Sequence, residues 1–347
     1  MNNTDAPIPV LIVDDSATVR AVLRRLLAPC ADIAVVGEAG DGREAVAAAA
    51  ALAPRVILMD VEMPRMDGVE ATHAIMRARP TPILVITSRS ARREVRAAFE
   101  CFSKGALELL AKPEHPAAWE AMAHVLPEKI RALAGAAVPP SGMIAPPAAP
   151  FSPPRGTLRC IAVAASTGGP TALAAFLSAF ARPLPAPILI VQHISPGFEG
   201  SLAEWLATVT GLEVALATHG EVLGRSQVRI APGDHHLRVT HRGTLELDGR
   251  TPPLGGHRPS ADELFTSCAA VMPAHTAGIL LTGMGRDGAE GLLRLRRAGG
   301  LALVQDEASC AVFGMPRAAL ELDSTLPAMP PAALAAAVEA YAGGGRR

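Results

Sequence analysis

The chain has 347 residues, 50% apolar and 19% charged, with a formal net charge of −1. That length exceeds one typical core and calls for two domains, and the charge balance argues against a generic nucleic-acid binder or a polybasic membrane anchor. Apolar runs at 158–165, 187–191 and 277–281 are too short to span a bilayer, the first residues lack the basic and apolar regions of a signal peptide, and five scattered cysteines without a CxxC pair argue for a reducing cytoplasm rather than a disulfide framework or structural zinc.

From residue 8 to about 130, short β-branched runs at 9–13, 33–36, 56–59, 83–87 and 107–110 alternate with Ala/Leu/Arg-rich stretches of helical period, the last over roughly 116–133. This alternation predicts a parallel sheet covered by helices on both faces. At 135–157 all periodicity breaks (GAAVPPSGMIAPPAAPFSPPRGT). Pro, Ala and Gly dominate there and no apolar face exists to pack, so the stretch reads as a semi-extended linker. Alternation then resumes with a strand at 158–164, a helix at 170–180, a strand at 188–191 and a helix at 199–209. A β-richer insertion is expected next, with short runs at 213–216 and 227–230, then 237–240 and 244–247 joined as a hairpin through Arg242-Gly243. Helix 260–271, strand 277–281, helix 287–297, strand 301–304 and a C-terminal helix near 331–342 complete the pattern. The expected organisation is α/β throughout: one doubly wound domain at 8–133, a Pro/Ala-rich linker at 134–157, and a second doubly wound domain at 158–345 carrying the hairpin.

In the first domain Asp14 and Asp15 close the first strand, Asp60 closes the third, Thr87 ends the fourth and Lys112 follows the fifth. The strand C-termini of an open parallel sheet share one edge, and ligands bind at that edge. Three carboxylates gathered there repel one another without a hard divalent cation, and Mg²⁺ suits a few carboxylates plus phosphate oxygens. A carboxylate beside such a metal can attack a phosphoryl donor, with the lysine and the hydroxyl balancing charge on the transferred group. Any one of these acids, taken alone, is an ordinary loop-tip residue. The set is harder to dismiss, because Lys112 is one of only three lysines, with Lys104 and Lys129.

Val10-Leu-Ile-Val-Asp-Asp-Ser16, Met59-Asp60-Val-Glu-Met-Pro64, Met66-Asp-Gly68 and Ala111-Lys112-Pro113 resemble response-regulator receiver domains. The resemblance implies a flavodoxin-like fold, Asp60 as phosphoacceptor, Asp14, Asp15 and Asp60 around Mg²⁺, and Thr87 and Lys112 as phosphoryl partners. It also implies a histidine kinase as phosphodonor. Leu109 stands where receivers commonly carry a switch aromatic. That departure leaves the phosphorylation chemistry in place and bears on conformational coupling.

In the second domain three residues follow apolar runs: Ser166 before Thr167-Gly168-Gly169-Pro170, His193 after Gln192, and Asp287 after Gly283-Met284-Gly285-Arg286. Each has a bland reading. Ser166 alone suits a helix N-cap, His193 a hydrogen-bonded strand-end histidine, and Asp287 an acid in the first turn of the next helix. The amides around Gly168-Gly169 suit either a phosphate or an anion hole, and the glycines lack the spacing of GxGxxG and the lysine of a P-loop. Together the three residues supply a nucleophile, a base and an orienting carboxylate at one sheet edge. Their order differs from that in α/β-hydrolases, chymotrypsin-like enzymes and subtilisins, but geometry rather than order defines a triad.

Ala165-Ser-Thr-Gly-Gly-Pro170, Ile190-Val-Gln-His193, Ile230-Ala-Pro-Gly233, Pro259-Ser260, Leu264-Phe265, Leu281-Thr-Gly-Met-Gly-Arg-Asp-Gly-Ala289, Gln305-Asp-Glu307 and Cys310-Ala-Val-Phe-Gly-Met-Pro316 resemble the catalytic domain of chemotaxis protein-glutamate methylesterases, over roughly 158–345. The resemblance implies a Rossmann-like domain in which Ser166 attacks a methylated receptor glutamate, His193 is general base and acid, and Asp287 orients His193. It further implies that Thr167 positions the histidine and the Met284 amide faces the oxyanion. Glutamine deamidation follows by the same acyl transfer. The implied partners are methyl-accepting chemoreceptors as substrate and the chemotaxis histidine kinase, with no nucleic acid, no membrane insertion, a monomeric state and no cofactor for the ester reaction. A phospho-dependent docking module without required catalysis is the alternative. His235, His236 and His257 lack a complete metal-ligand set, and Cys310 reads as a buried small residue.

Overall fold

The computed structural model describes residues 6–88, 92–136 and 156–343, so most of the expected linker lies outside the described residues. The chain divides into two compact units, 1–143 and 144–347.

In the first unit the strands are β1 (Ile8–Val13), β2 (Ile33–Ala39), β3 (Val56–Met59), β4 (Ile83–Thr87) and β5 (Glu108–Ala111). They form one parallel sheet in the order β2-β1-β3-β4-β5. The helices are α1 (Ala17–Leu27), α2 (Gly42–Leu52), α3 (Gly68–Ala78), α4 (Arg92–Ser103) and α5 (Pro116–Ala134). Every residue of β3 and β4 is buried, as expected of strands covered on both faces. Three helices start on side chains that accept a backbone N–H three residues on: Ser16 from Val19, Asp41 from Glu44 and Asp67 from Glu70. Asp14 and Asp60 lie immediately beyond β1 and β3, Thr87 ends β4, and Lys112 follows β5, so all converge on the carboxyl edge.

The second unit contains β6 (Cys160–Ala165), α6 (Gly169–Ser178), β7 (Ile188–Gln192), α7 (Glu199–Thr210), β8 (Glu213–Leu216), β9 (Gln227–Ile230), β10 (His236–Val239) and β11 (Leu245–Asp248). It continues with α8 (Ala261–Val271), β12 (Thr276–Leu280), α9 (Ala289–Arg297), β13 (Leu301–Gln305), α10 (Met315–Leu322), β14 (Ala328–Met329) and α11 (Pro331–Gly343). Seven strands form a parallel sheet in the order β14-β13-β12-β6-β7-β9-β8, and β10-β11 form a separate antiparallel hairpin. The hairpin puts Leu237, Val239 and Leu245 into the same core as Leu264, Phe265 and Cys268 of α8.

Two sequence expectations change. The runs at 213–216 and 227–230 are not part of an insertion. They extend the main sheet as its edge, β9 pairing with β7 and β8 with β9. Helix α10, following the Cys310–Pro316 motif, was not anticipated.

The order of strands sets the site. β6 is the first strand of its sheet in the chain and lies at its centre. The chain proceeds to one side through β7, β8 and β9, then returns to the other side with β12, β13 and β14. The carboxyl end of β6 is therefore a topological switch point, where loops diverge and leave a crevice.

Candidate active site

Ser166 follows the last residue of β6. Its N–H donates to the Thr282 carbonyl (3.0 Å), and its own carbonyl accepts from the Gly169 N–H (2.7 Å) and from Gln192 Nε2 (2.8 Å). The residue at the start of α6 is Gly168, at φ 75°, so the serine side chain is not the cap of that helix. The neighbouring loops approach too closely for side chains. A Cβ at Gly283 would lie 2.7 Å from Ser166 Cβ, and one at Gly168 would lie 2.5 Å from Ala311 Cβ.

His193 stands one residue beyond β7. Ala165 pairs with Gln192, so the next step of the register sets His193 beside Ser166, and the His193 N–H donates to the Ala165 carbonyl (2.9 Å). The buried Gln192 amide bonds to the His193 carbonyl as well (2.8 Å), tying the backbones of both residues together. On the ring, Nε2 pairs with Asp287 Oδ2 at 2.9 Å. An ionised carboxylate only accepts, so the ring proton sits on Nε2 and the lone pair on Nδ1. Nδ1 is buried and has no hydrogen-bond partner among the described residues.

Asp287 does not serve α9, whose cap is Gly288 at φ 89°. Its carboxylate turns instead to the N-terminus of α8. Oδ1 accepts from Ser260 Oγ (2.8 Å) and the Asp262 N–H (3.1 Å), while Oδ2 accepts from the Ala261 N–H (2.7 Å) besides His193. Burial alone would raise the pKa of this carboxyl. The hydrogen bond and charge of His193, followed by the Ala261 amide and the Ser260 hydroxyl, overcome that and hold it at about 2. β7 and β12 flank β6 on opposite sides, so the His193–Asp287 pair arches over the end of the strand that carries Ser166.

Thr167 is buried, and its carbonyl accepts from Thr282 Oγ1 at 3.0 Å. Met284 sits between Gly283 and Gly285 on the loop leaving β12, and the residue is 36% exposed. Cys310 is buried, and burial followed by the charge of Asp306 pushes its thiol up to about 12, which leaves no thiolate for attack at neutral pH. Sequence reasoning missed three supports. Ser260, legible as the cap of a Ser-x-x-Glu helix start, also grips Asp287. Gln192 and Gln305 are amides at the ends of otherwise apolar buried strands, and Gln305 Oε1 accepts from the Thr282 N–H (2.8 Å). The fourth finding is a ring: His257 lies flat against His193.

In the first unit Lys112 Nζ lies 2.8 Å from both Asp14 Oδ2 and Asp60 Oδ2. Asp14, Asp15 and Asp60 each offer an oxygen within 4.8 Å of the others, the one such cluster of potential metal ligands among the described residues. Hard carboxylate oxygens in that number fit Mg²⁺. Burial raises the Asp60 carboxyl to about 6; Lys112 works against that shift and Asp14 adds to it. Thr87 is fully buried, and its Oγ1 has no hydrogen-bond partner among the described residues. The Lys112 N–H donates to the Thr87 carbonyl (2.7 Å), which joins the ends of β4 and β5. Leu109 is buried completely. No helix among the described residues is long and apolar enough to cross a membrane.

Comparison with known proteins agrees over both units. The CheB methylesterase family matches residues 161–338, and the response regulator receiver domain family matches residues 10–124. The chain is 44% identical over 319 residues to protein-glutamate methylesterase/protein-glutamine glutaminase 3 of Anaeromyxobacter dehalogenans, covering 90% of this chain and 92% of that one. It is also 44% identical over 334 residues to the protein of the same name from Myxococcus xanthus, covering 94% and 92%. Among solved structures, the CheB methylesterase catalytic domain of Thermotoga maritima is similar with a TM-score of 0.50 at 33% identity, covering 52% of this chain and 96% of that one.

Proposed function

Because the chain belongs to the CheB methylesterase family and carries a receiver domain, we propose that it is a phosphorylation-activated protein-glutamate methylesterase and protein-glutamine deamidase acting on chemoreceptors. It is an enzyme, a carboxylic ester hydrolase. The observation that carries the residue assignment is the Nε2–Asp287 hydrogen bond, which leaves the buried Nδ1 lone pair without a partner among the described residues, on a residue that the strand register sets level with Ser166.

In this reading Nδ1 of His193 takes the hydroxyl proton as Ser166 Oγ attacks the γ-carbonyl of a methylated glutamate. Asp287 stabilises the imidazolium that results. The Met284 amide faces the oxyanion and Thr167 helps position the histidine. His193 then returns its proton to the departing methoxide, and methanol leaves behind a Ser166 acyl-enzyme. Water, activated by the same nitrogen, releases the glutamate carboxylate and restores the serine. With a glutamine substrate the leaving group is ammonia and the product is again glutamate.

In the receiver unit Asp60 accepts the phosphoryl group from the chemotaxis histidine kinase, and Lys112 Nζ and Thr87 Oγ1 bind its oxygens. Asp14, Asp15 and Asp60 would hold Mg²⁺, which when bound offsets the charge between the acids and the phosphoryl group. The enzyme acts in the cytoplasm as a monomer.

Methanol release from methylated receptor, with and without a small-molecule phosphodonor, tests the proposal. Ser166→Ala is expected to reduce release to background, and Asp60→Asn to keep basal release while losing stimulation. Full release from Ser166→Ala overturns the esterase assignment and favours a docking role. Equal stimulation of Asp60→Asn and wild type overturns the regulatory one.

A further inference from the structure

We infer that His257 is a positioning residue for His193, holding the ring plane of the general base by face-to-face stacking; this rests on the triad reading above. The two imidazoles lie 4.0 Å apart between centroids with 2° between their planes. A histidine anchored through Nε2 alone can still swing about that hydrogen bond, and a small swing moves Nδ1 off the line to Ser166. A flat partner against one face removes that freedom. Misplacement of a reacting group by an ångström costs on the order of 10²-fold in rate.

The partner ring is itself delivered rigidly. Leu254 and His257 exchange both backbone hydrogen bonds, each 3.0 Å, across Gly255-Gly256. Those glycines have φ of 58° and 86°, the signs that a tight two-residue hairpin turn requires. Apart from the chain neighbours, no atom among the described residues lies within 4 Å of where a side chain on either glycine would begin, so the turn fills no core at its tip. Its base is pinned instead. The fully buried His236 accepts the Ser260 N–H at Nδ1 (3.3 Å) and donates from Nε2 to the Pro252 carbonyl (3.1 Å), so one neutral ring clamps the residues on either side of the turn. Arg258 Nη1 donates to the carbonyls of Gly249 (3.0 Å) and Thr251 (3.2 Å). Ser260, at the far end of this strap, is also the residue that grips Asp287. A single segment, 249–262, therefore fixes the edge of the His193 ring through Asp287 and its face through His257.

The test is steady-state methanol release by the full chain carrying His257→Ala, His257→Phe or His257→Leu, with His193→Gln alongside. His257→Ala is expected to lower kcat about tenfold with KM unchanged. His257→Phe, which keeps a flat face without ring nitrogens, restores most of kcat, and His257→Leu, which has bulk but no flat face, does not. In NMR spectra, the upfield ring-current shift of the His193 ring protons persists in the Phe variant and disappears in the Leu and Ala variants. Wild-type kcat in His257→Ala, a Phe variant no better than Leu, or a change confined to KM overturns the inference. Full activity of His193→Gln instead overturns the triad, so the two failures are distinguishable.

Discussion

Asp60 and Asp287 occupy equivalent ground, each at the carboxyl edge of a parallel sheet and each nearly out of solvent, at 5% and 7% exposure. Yet their carboxyl groups shift in opposite directions, to about 6 and about 2. Burial acts alike on both, so the difference lies in the donors. Asp287 receives a hydroxyl, two amides at a helix N-terminus and an imidazole. Asp60 receives one amide, from Val61, and shares a single ammonium with a second carboxylate, Asp14. One site is complete as it stands and holds its charge down to a pH of about 2. The other is short of positive charge, as suits a site whose cation and phosphoryl group come and go.

The largest expected effect comes from Asp287→Asn. The amide sets an NH₂ against backbone N–H groups, which only donate, or against His193 Nε2, which can then accept in its other tautomer, so the His193 tautomer is no longer fixed. A loss in kcat on the order of 10⁴-fold is expected in the methanol assay, with the variant also unfolding at lower denaturant concentration than wild type. A loss below tenfold would mean that the completed site is not what sustains catalysis.

Next in size is a pH effect of opposite sign in the two units, measured by hydrogen exchange of the full chain in magnesium-free buffer. The folded pKa of Asp60 lies above the ordinary 3.8, so its penalty is full above pH 6 and is released as the pH falls toward 4; the first unit gains about 2 kcal/mol over that interval. The folded pKa of Asp287 lies below 3.8, so its contribution is full above pH 4 and is lost as the pH falls through about 2; the second unit weakens by a similar amount. Asp60→Asn removes the first trend and leaves the second. Parallel trends in both units would break the comparison. The smallest effect is expected from Ser260→Ala, which removes one donor of four: about 1 kcal/mol of stability and less than a tenfold fall in kcat. A larger fall in kcat would single out the hydroxyl over the helix amides as the main grip on Asp287.

Local pattern was enough to place Ser166 and His193 directly after strands and Asp287 on the loop that leaves β12, because continuous apolar runs mark buried parallel strands and their ends share one edge. It could not pair the strands. The half-buried β8 and the short β9 look like hairpin material when read locally, and only the non-local pairing of Val228 with Ile188 assigns them to the main sheet. The N-cap reading of Ser166 failed because Gly168 adopts a backbone conformation that starts α6 two residues later. The grip on Asp287 and the ring of His257 were illegible for a related reason: both depend on segment 249–262 folding back over the sheet edge, and no spacing in the sequence records that approach.

The central place of β6 bears on how the enzyme is made. Synthesis delivers β6 first of the seven strands, and β7 soon covers one of its edges. The other edge waits for β12, from Cys160 to Thr276 along the chain. Until then an apolar strand lies open to pairing with other chains. Asp287 arrives only after β12, so a nascent polypeptide already holding Ser166 and His193 still lacks the carboxylate that accepts from His193 Nε2. On the triad proposed above, hydrolysis is thereby withheld until the sheet closes, and a chain cut short before β12 lacks the carboxylate altogether.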